Sequence, residues 1–189
     1  MTLPLMSTRP GAESPLSDAL RLELRREQMA LESAPLVTIL THPRLTVSMY
    51  ADSLIGWWRV VSVLQPVTDV ALGRTSPEKR WLEADLSDLG IEPKRRRAIA
   101  PLVSSAEALG YRYVIESQHI HSRLIAPTLR STLGSQVDAF RFYTSHDGST
   151  HTWRSTMSAI DAVPCEDRRS VLTGARAALA ALHRSLGGC

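Results

Sequence analysis

The sequence is poor in cysteine and in long apolar runs, and these two shortages argue against a disulfide-rich protein and against a membrane-spanning one. Its 189 residues include two cysteines, Cys165 and Cys189, with no closely spaced metal-binding pair. A disulfide framework is therefore excluded, and we expect a reducing, cytoplasmic setting. No apolar run reaches the roughly 18 residues of a membrane span. Residues 1–15 contain three prolines and no apolar segment, which is not the pattern of a signal peptide.

The charge is nearly balanced, with 22 basic and 19 acidic residues, a net charge of +3 and a pI of about 9.2. This mild excess is too small to indicate a nucleic-acid partner. The one basic run, Lys94 to Arg97, follows Pro93 in a predicted loop. It is interpreted as a solvated turn, with a pocket for an acidic ligand as the alternative. We expect neither a nucleic-acid nor a membrane partner.

From Leu16 onward the apolar residues recur with helical spacing. Residues 1–15 are predicted to be a disordered leader, and residues 16–189 one helical domain. The first helix carries Leu20, Leu24, Gln28 and Leu31 on one face, at spacings of four, four and three. A polar residue within an apolar stripe that is expected to be buried requires a structural or functional explanation. Pro35 is predicted to end this helix.

Turn and cap residues divide the rest of the chain. A second helix is predicted from its N-cap Thr46 to Pro66, and a third from Ser76–Pro77 to Gly90. A fourth stretch is predicted from near Pro101 to Thr132, with a kink at Gly110 and an end at Gly134. Its apolar stripe is interrupted by Ser117 and His121. Three further helices are predicted, a short one at 140–143, one through Trp153 and Ile160, and one from Val171 to Leu186. No strand pattern occurs, so the fold class is all-α.

Four stretches, in this order, resemble the bacterial haem oxygenases. Residues 20–32 are similar to the family's Leu-Arg…His-x-x-Leu-Glu helix, and 79–90 to Arg-x-x-x-Leu-x-x-Asp-Leu-x-x-Leu-Gly. Residues 108–116 resemble Leu-Gly-x-x-Tyr-Val-Leu-Glu, and 175–182 the last helix. The resemblance implies a single-domain helical haem-oxygenase-like fold. It also implies oxygen-dependent opening of haem to biliverdin, iron and carbon monoxide, with electrons from a ferredoxin or reductase.

The first departure from the family falls on the axial ligand of the haem iron. The family has a histidine there, and this chain has Gln28, with Leu31 and Glu32 still in place. Imidazole suits ferrous iron and oxygen chemistry, whereas an amide is a poor axial ligand. One interpretation is that the pocket survives without this iron ligand. The other is that Gln28 forms a hydrogen bond within the core.

The second departure falls on the opposite side of the expected haem. The family continues Gly-Ser-x-Leu-Gly-Gly, and its glycines let the helix backbone approach the haem. Residues 117–122 here contain no glycine, and His121 stands at the first of the paired glycines. Ser117, His121 and Ser122 are therefore candidate pocket residues. His121 is also a candidate iron ligand, with a packing role in the core as the alternative.

Three further residues complete the candidate tetrapyrrole site. Arg21 lies two helical turns before Gln28, and Arg154 lies where the family often has a basic residue near the haem edge. Either guanidinium suits a propionate carboxylate, although each is also interpretable as a surface residue. Tyr113, on the stripe of the fourth helix, is a candidate pocket residue.

A single Glu-x-x-His pair, Glu116 and His119, raises a non-haem alternative. Two such pairs and further carboxylates hold the metals of di-iron proteins. Glu27 and Glu32 are candidates for the missing carboxylates, but no second pair occurs.

These features favour a haem-oxygenase-like protein of haem and biliverdin metabolism whose catalytic features have degenerated. Weak or absent haem cleavage is expected, with a tetrapyrrole-binding or pathway-interaction role. The expected cofactor is haem, and the expected partners are haem or a bilin, a ferredoxin or reductase, or a bilin-using protein. The alternatives are an active oxygenase with a displaced ligand and a di-iron oxidase.

Overall fold

The computed structural model describes residues 15–93, 103–145 and 149–187. Residues 1–14, most of the predicted leader, and the basic run at Lys94 lie outside these ranges. The helices are α1 Leu16–Glu23, α2 Arg25–Glu32, α3 Pro35–Thr38, α4 Val47–Leu72, α5 Glu78–Asp88, α6 Ser105–Leu133, α7 Arg141–Thr144, α8 Ser149–Asp161 and α9 Arg168–Leu186, with 3-10 turns at Ile39–Thr41 and Cys165–Asp167. No strand occurs among the described residues, which confirms the all-α fold class.

The predicted first helix is present as two consecutive helices, α1 and α2. Leu24 separates α1 from α2, but its N–H bonds to Leu20 O at 2.9 Å and its carbonyl accepts from Gln28 N at 2.9 Å. The apolar stripe therefore continues across the break. Leu20, Leu24 and Leu31 are all buried, as the spacing predicts. Pro35 does follow the end of α2, and it opens α3 in the first helical position.

The prediction that Pro66 ends the second helix is wrong. The helix α4 continues through Pro66 to Leu72 and ends at Gly73, which has a left-handed φ of +60°. Proline removes one intrahelical hydrogen bond. The turn beyond it is held by Asp69, whose carboxylate accepts from the backbone N of Ser76 at 3.0 Å and from its hydroxyl at 2.6 Å. These bonds join residues seven apart and fix the chain just after the helix.

The long helices α4, α6 and α9 pack against one another around the core, and α6 and α9 cross in close contact. A Cβ added at Gly110 would lie 2.0 Å from the Val171 carbonyl oxygen, and one at Gly174 would lie 2.1 Å from the Glu107 oxygen. Gly110 therefore permits this crossing, and α6 runs through Gly110 as one continuous helix. It begins at a capping box formed by Ser104 and Glu107, so its N-cap comes after Pro101. The crossing fixes α6, the helix that carries most of the candidate site.

Candidate functional site

The amide of Gln28 meets the phenol of Tyr113. Gln28 Nε2 donates to Tyr113 Oη at 3.4 Å, across 85 residues of sequence. Gln28 is half-buried, whereas Tyr113 is only 1% exposed. The contact brings the helix with the expected ligand position beside the helix with the expected distal residues. The two candidate residues are therefore in direct contact.

The ring of Tyr113 packs against an aromatic side chain, and its hydroxyl is influenced by the positive charge of Arg21. Its ring centroid lies 5.5 Å from that of Trp153 on α8, with 37° between the ring planes. Burial raises the pKa of Tyr113, and the hydrogen bond from Gln28 and the charge of Arg21 offset part of that rise. The phenol is therefore neutral at physiological pH. Arg21 is exposed and lies 3.8 Å from the Asp18 carboxylate.

The remaining site candidates lie on α6 and α8. Ser117 is buried, and its hydroxyl donates to the Val114 carbonyl of its own helix at 2.8 Å. Arg154 follows Trp153 and is exposed. His121 and Ser122 lie on α6, but their side chains lie outside the described part of the structure. His121 is eight residues after Tyr113, or about 12 Å along the helix axis at 1.5 Å per residue.

Sequence reasoning missed Trp153 as a site residue. It was assigned only to a helix, although it directly precedes the candidate Arg154. The signal that could have identified it was an aromatic residue next to a candidate carboxylate-binding arginine. Its contact with Tyr113 depends on how α8 packs against α6. The packing of α8 against α6 cannot be predicted from the sequence of either helix alone.

A buried ionic network surrounds Glu116, the carboxylate of the candidate metal pair. Glu116 Oε1 accepts from Arg74 Nη2 at 2.7 Å and from Arg112 Nε. Arg112 Nη2 also lies 2.7 Å from Glu78 Oε1. Burial lowers the pKa of Arg112, but the charges of Glu78 and Glu116 raise it by more, and the net shift is upward. Two guanidinium groups thus already neutralise this carboxylate, which disfavours a metal cation there.

The other residues considered as di-iron ligands interact with other groups, or their side chains lie outside the described part of the structure. Glu27 faces Arg176 of α9 at 3.8 Å, in a pair about half exposed to solvent. The His119 side chain lies outside the described part of the structure. Among the described residues, no three His, Cys, Asp or Glu side chains are grouped so that they could hold a metal ion.

A small cavity beside this network does not offer an alternative ligand site. Its volume is about 20 Å³, and it is lined by Val61, Leu64, Gln65, Thr68, Asp69, Glu78, Tyr111, Arg112 and Ile115. A space of this size holds about one water molecule. Organic ligands need several hundred cubic ångströms. This cavity is therefore too small for an organic ligand, whereas a second cavity, lined by Trp58, Glu83, Ser87, Gly90, Ile91, Glu92 and Pro93, has a volume of about 450 Å³.

Comparison with solved structures identifies the fold as that of the haem oxygenases. The chain is similar to the haem oxygenase of Neisseria meningitidis, solved with nitric oxide and carbon monoxide bound. The TM-score is 0.72 and the sequence identity 15%, over 93% of this chain and 94% of that one. No family model matches the sequence, and no curated protein matches it significantly. Within the described residues, no helix is long and apolar enough to cross a membrane.

Proposed function

We propose that the protein binds haem or a related tetrapyrrole at the site formed by α2, α6 and α8, and cleaves it weakly or not at all. The observation that carries this proposal is the hydrogen bond from Gln28 to Tyr113 on a haem oxygenase fold. An amide already bonded to a buried phenol stands at the position that the resemblance gives to the axial histidine. The protein then acts in haem and biliverdin metabolism by holding a tetrapyrrole.

The residues of the site fit such a ligand. Trp153 is partly exposed and packs on the buried ring of Tyr113, so it can offer aromatic surface to a flat macrocycle. Arg21 and Arg154 are exposed guanidinium groups, suited to the propionate carboxylates of haem. When bound, the haem iron supplies the capacity to bind and activate oxygen. The protein groups supply position and charge.

Weak haem cleavage is expected because Gln28 stands where the family has its axial histidine. A neutral imidazole nitrogen holds ferrous haem iron and supports oxygen binding. Gln28 has an amide, whose nitrogen is a poor donor because its lone pair is delocalised into the carbonyl. Ser117 and the residues after it on α6 also carry side chains where the family has glycines. Both sides of the expected haem thus depart from the arrangement that the resemblance implies.

A haem titration followed by absorption tests the proposal. We expect a Soret band with one equivalent bound, and little or no biliverdin when oxygen and a ferredoxin or reductase system are added. Bilin formation at the rate of an ordinary haem oxygenase would show that another group serves as ligand, with His121 the first candidate. Absence of any haem binding would refute the pocket and favour an interaction role with a bilin-using protein. Two irons per chain by metal analysis would favour the di-iron alternative, against which the arginines around Glu116 argue.

A further inference from the structure

The cavity of about 450 Å³ lined by Trp58, hereafter the Trp58 cavity, lies where α4 and α5 meet the segment that follows α5. Trp58 belongs to α4, Glu83 and Ser87 belong to α5, and residues 90–93 complete the lining. Sites for small organic molecules measure about 300–1,000 Å³, so this volume is sufficient for one. The Trp58 cavity shares no lining residue with the site around Gln28, and what it binds does not depend on the tetrapyrrole proposal.

The wall formed by the segment after α5 is fixed by the way that helix ends. Gly90 has a left-handed φ of +70°, its N–H donates to the Ser87 carbonyl at 2.9 Å, and the Ile91 N–H donates to the Leu86 carbonyl at 2.9 Å. These two bonds form the Schellman motif that closes a helix C-terminus. They hold the chain at the point where residues 91–93 line the cavity.

The lining carries two carboxylates and, among the residues described for it, no cation. The Glu83 side chain is 39% exposed, and Lys79 Nζ lies 4.0 Å from its Oε1. An ion pair that is this long and this exposed neutralises little of the carboxylate charge. Glu92 is exposed and forms no ion pair with a described residue. The described lining therefore favours a ligand with a positive charge.

The inner wall contributes a buried donor that lacks an acceptor. Trp58 is only 4% exposed, and its Nε1 has no hydrogen-bond partner among the described residues. Buried indole N–H groups are usually paired, because an unpaired donor keeps the full cost of leaving water. An oxygen atom of a ligand held beside the ring supplies this missing acceptor. Ile91 and Pro93, both partly buried, add apolar surface to the lining.

We infer that the Trp58 cavity binds a small organic ammonium ion that has an apolar body and an oxygen acceptor. The ammonium group pairs with the carboxylates of Glu83 and Glu92, and the oxygen accepts from Trp58 Nε1. The apolar body packs against Ile91 and Pro93. A metal ion does not fit this lining, since within the described part of the chain no three His, Cys, Asp or Glu side chains are grouped to hold one.

Four probes of similar size test these requirements one at a time. Phenylethanolamine carries both the ammonium and the hydroxyl, phenethylamine lacks the hydroxyl, phenylethanol lacks the ammonium, and mandelate carries a carboxylate instead. Each is titrated into the isotope-labelled full chain and followed by NMR, with the Trp58 indole N–H signal assigned from Trp58→Phe. We expect phenylethanolamine to bind about fivefold or more tightly than phenylethanol, and mandelate to bind most weakly. Phenylethanolamine should shift the Trp58 indole signal further than phenethylamine does.

Four variants assign the binding to this cavity. Glu83→Gln and Glu92→Gln should each weaken phenylethanolamine binding by about fivefold and leave phenylethanol binding unchanged. Glu166→Gln removes an exposed carboxylate that does not line the cavity, and it should behave as wild type. Ser87→Trp places a large side chain in the cavity from an exposed position of α5, and it should abolish binding of both probes. Thermal unfolding verifies that each variant is folded.

Several results would overturn the inference. Equal binding of phenylethanol and phenylethanolamine, or unchanged amine binding in both glutamate variants, would show that the carboxylates do not select the ligand. Preferential binding of mandelate would show that the basic run beginning at Lys94 sets the ligand charge instead. Amine binding that leaves the Trp58 signal unmoved, or that survives in Ser87→Trp, would place the ligand outside the cavity. Failure of all four probes to bind at millimolar concentration would refute the site, whatever the haem titration shows.

Discussion

Arg112 of α6 joins two carboxylates from different helices, with Nη2 lying 2.7 Å from Glu78 of α5 and Nε bonded to Glu116. All three side chains are almost completely buried. Such a network is costly to form, because every charge must leave water, but it is more costly to break. It fixes α5 against the half of α6 that carries Tyr113.

Arg112→Met should therefore destabilise the protein by about 3–5 kcal/mol, because it leaves buried carboxylates without their main counter-charge. Urea denaturation at pH 7 measures the change, with a lower midpoint expected at unchanged slope. Arg154→Met is a matched control, since Arg154 is exposed and its loss should stay within about 0.5 kcal/mol. A loss below about 1 kcal/mol in Arg112→Met would mean that Arg74 alone compensates for the carboxylates.

Asp85 should make stability fall as pH rises above 3.8, the ordinary pKa of its carboxyl. Burial raises its pKa above the ordinary value of 3.8, although bonds from Phe142 N, Arg141 N and the Arg141 side chain oppose the shift. A raised folded pKa means that its contribution is fully present below 3.8 and is lost as pH rises through the folded pKa. The stability of wild type relative to Asp85→Asn should therefore drop over that window and then level off. Thermal unfolding of both proteins across a pH series measures it, and parallel curves would contradict the prediction.

Gly110→Ala should be poorly tolerated for a steric reason. The new methyl group would lie 2.0 Å from the Val171 carbonyl oxygen, which belongs to backbone and cannot rotate away. Overpacking of this kind costs about 1–3 kcal/mol or more. Gly174→Ala, whose methyl group would meet the Glu107 carbonyl at 2.1 Å, should cost a similar amount. Chemical denaturation of the two variants checks this, and wild-type stability in either would disprove the close crossing.

Gln28→His should strengthen haem binding by about tenfold or more, because it restores an imidazole donor on the helix with the family spacing. Adding His121→Gly should open the distal side and increase oxygen binding further, as expected if His121 fills space rather than binds iron. Absorption titrations of the single and double variants provide the measurement. Unchanged haem affinity in a folded Gln28→His protein would mean that residue 28 does not face the ligand.

The sequence by itself determined most of the helices and several of their ends, because these depend on spacing and on caps a few residues apart. The side chain of Thr46 accepts from Met49 N, and Gly90 has a left-handed φ of +70° just after α5. The stripe containing Gln28 was likewise visible, since residues three and four apart share a helical face. The likeness to the haem oxygenase fold was visible in the order of four short segments.

Only the tertiary structure decided which distant residues meet. Pro66 lies inside α4 rather than at its end, which the local preference of proline does not predict. Gln28 and Tyr113 are 85 residues apart, and their pairing depends on where α2 and α6 lie in the packed core. A helical pattern shows which face of a helix is buried but not what it is buried against. Contacts between faces are selected by packing of the whole chain, where volume and charge must be satisfied at once.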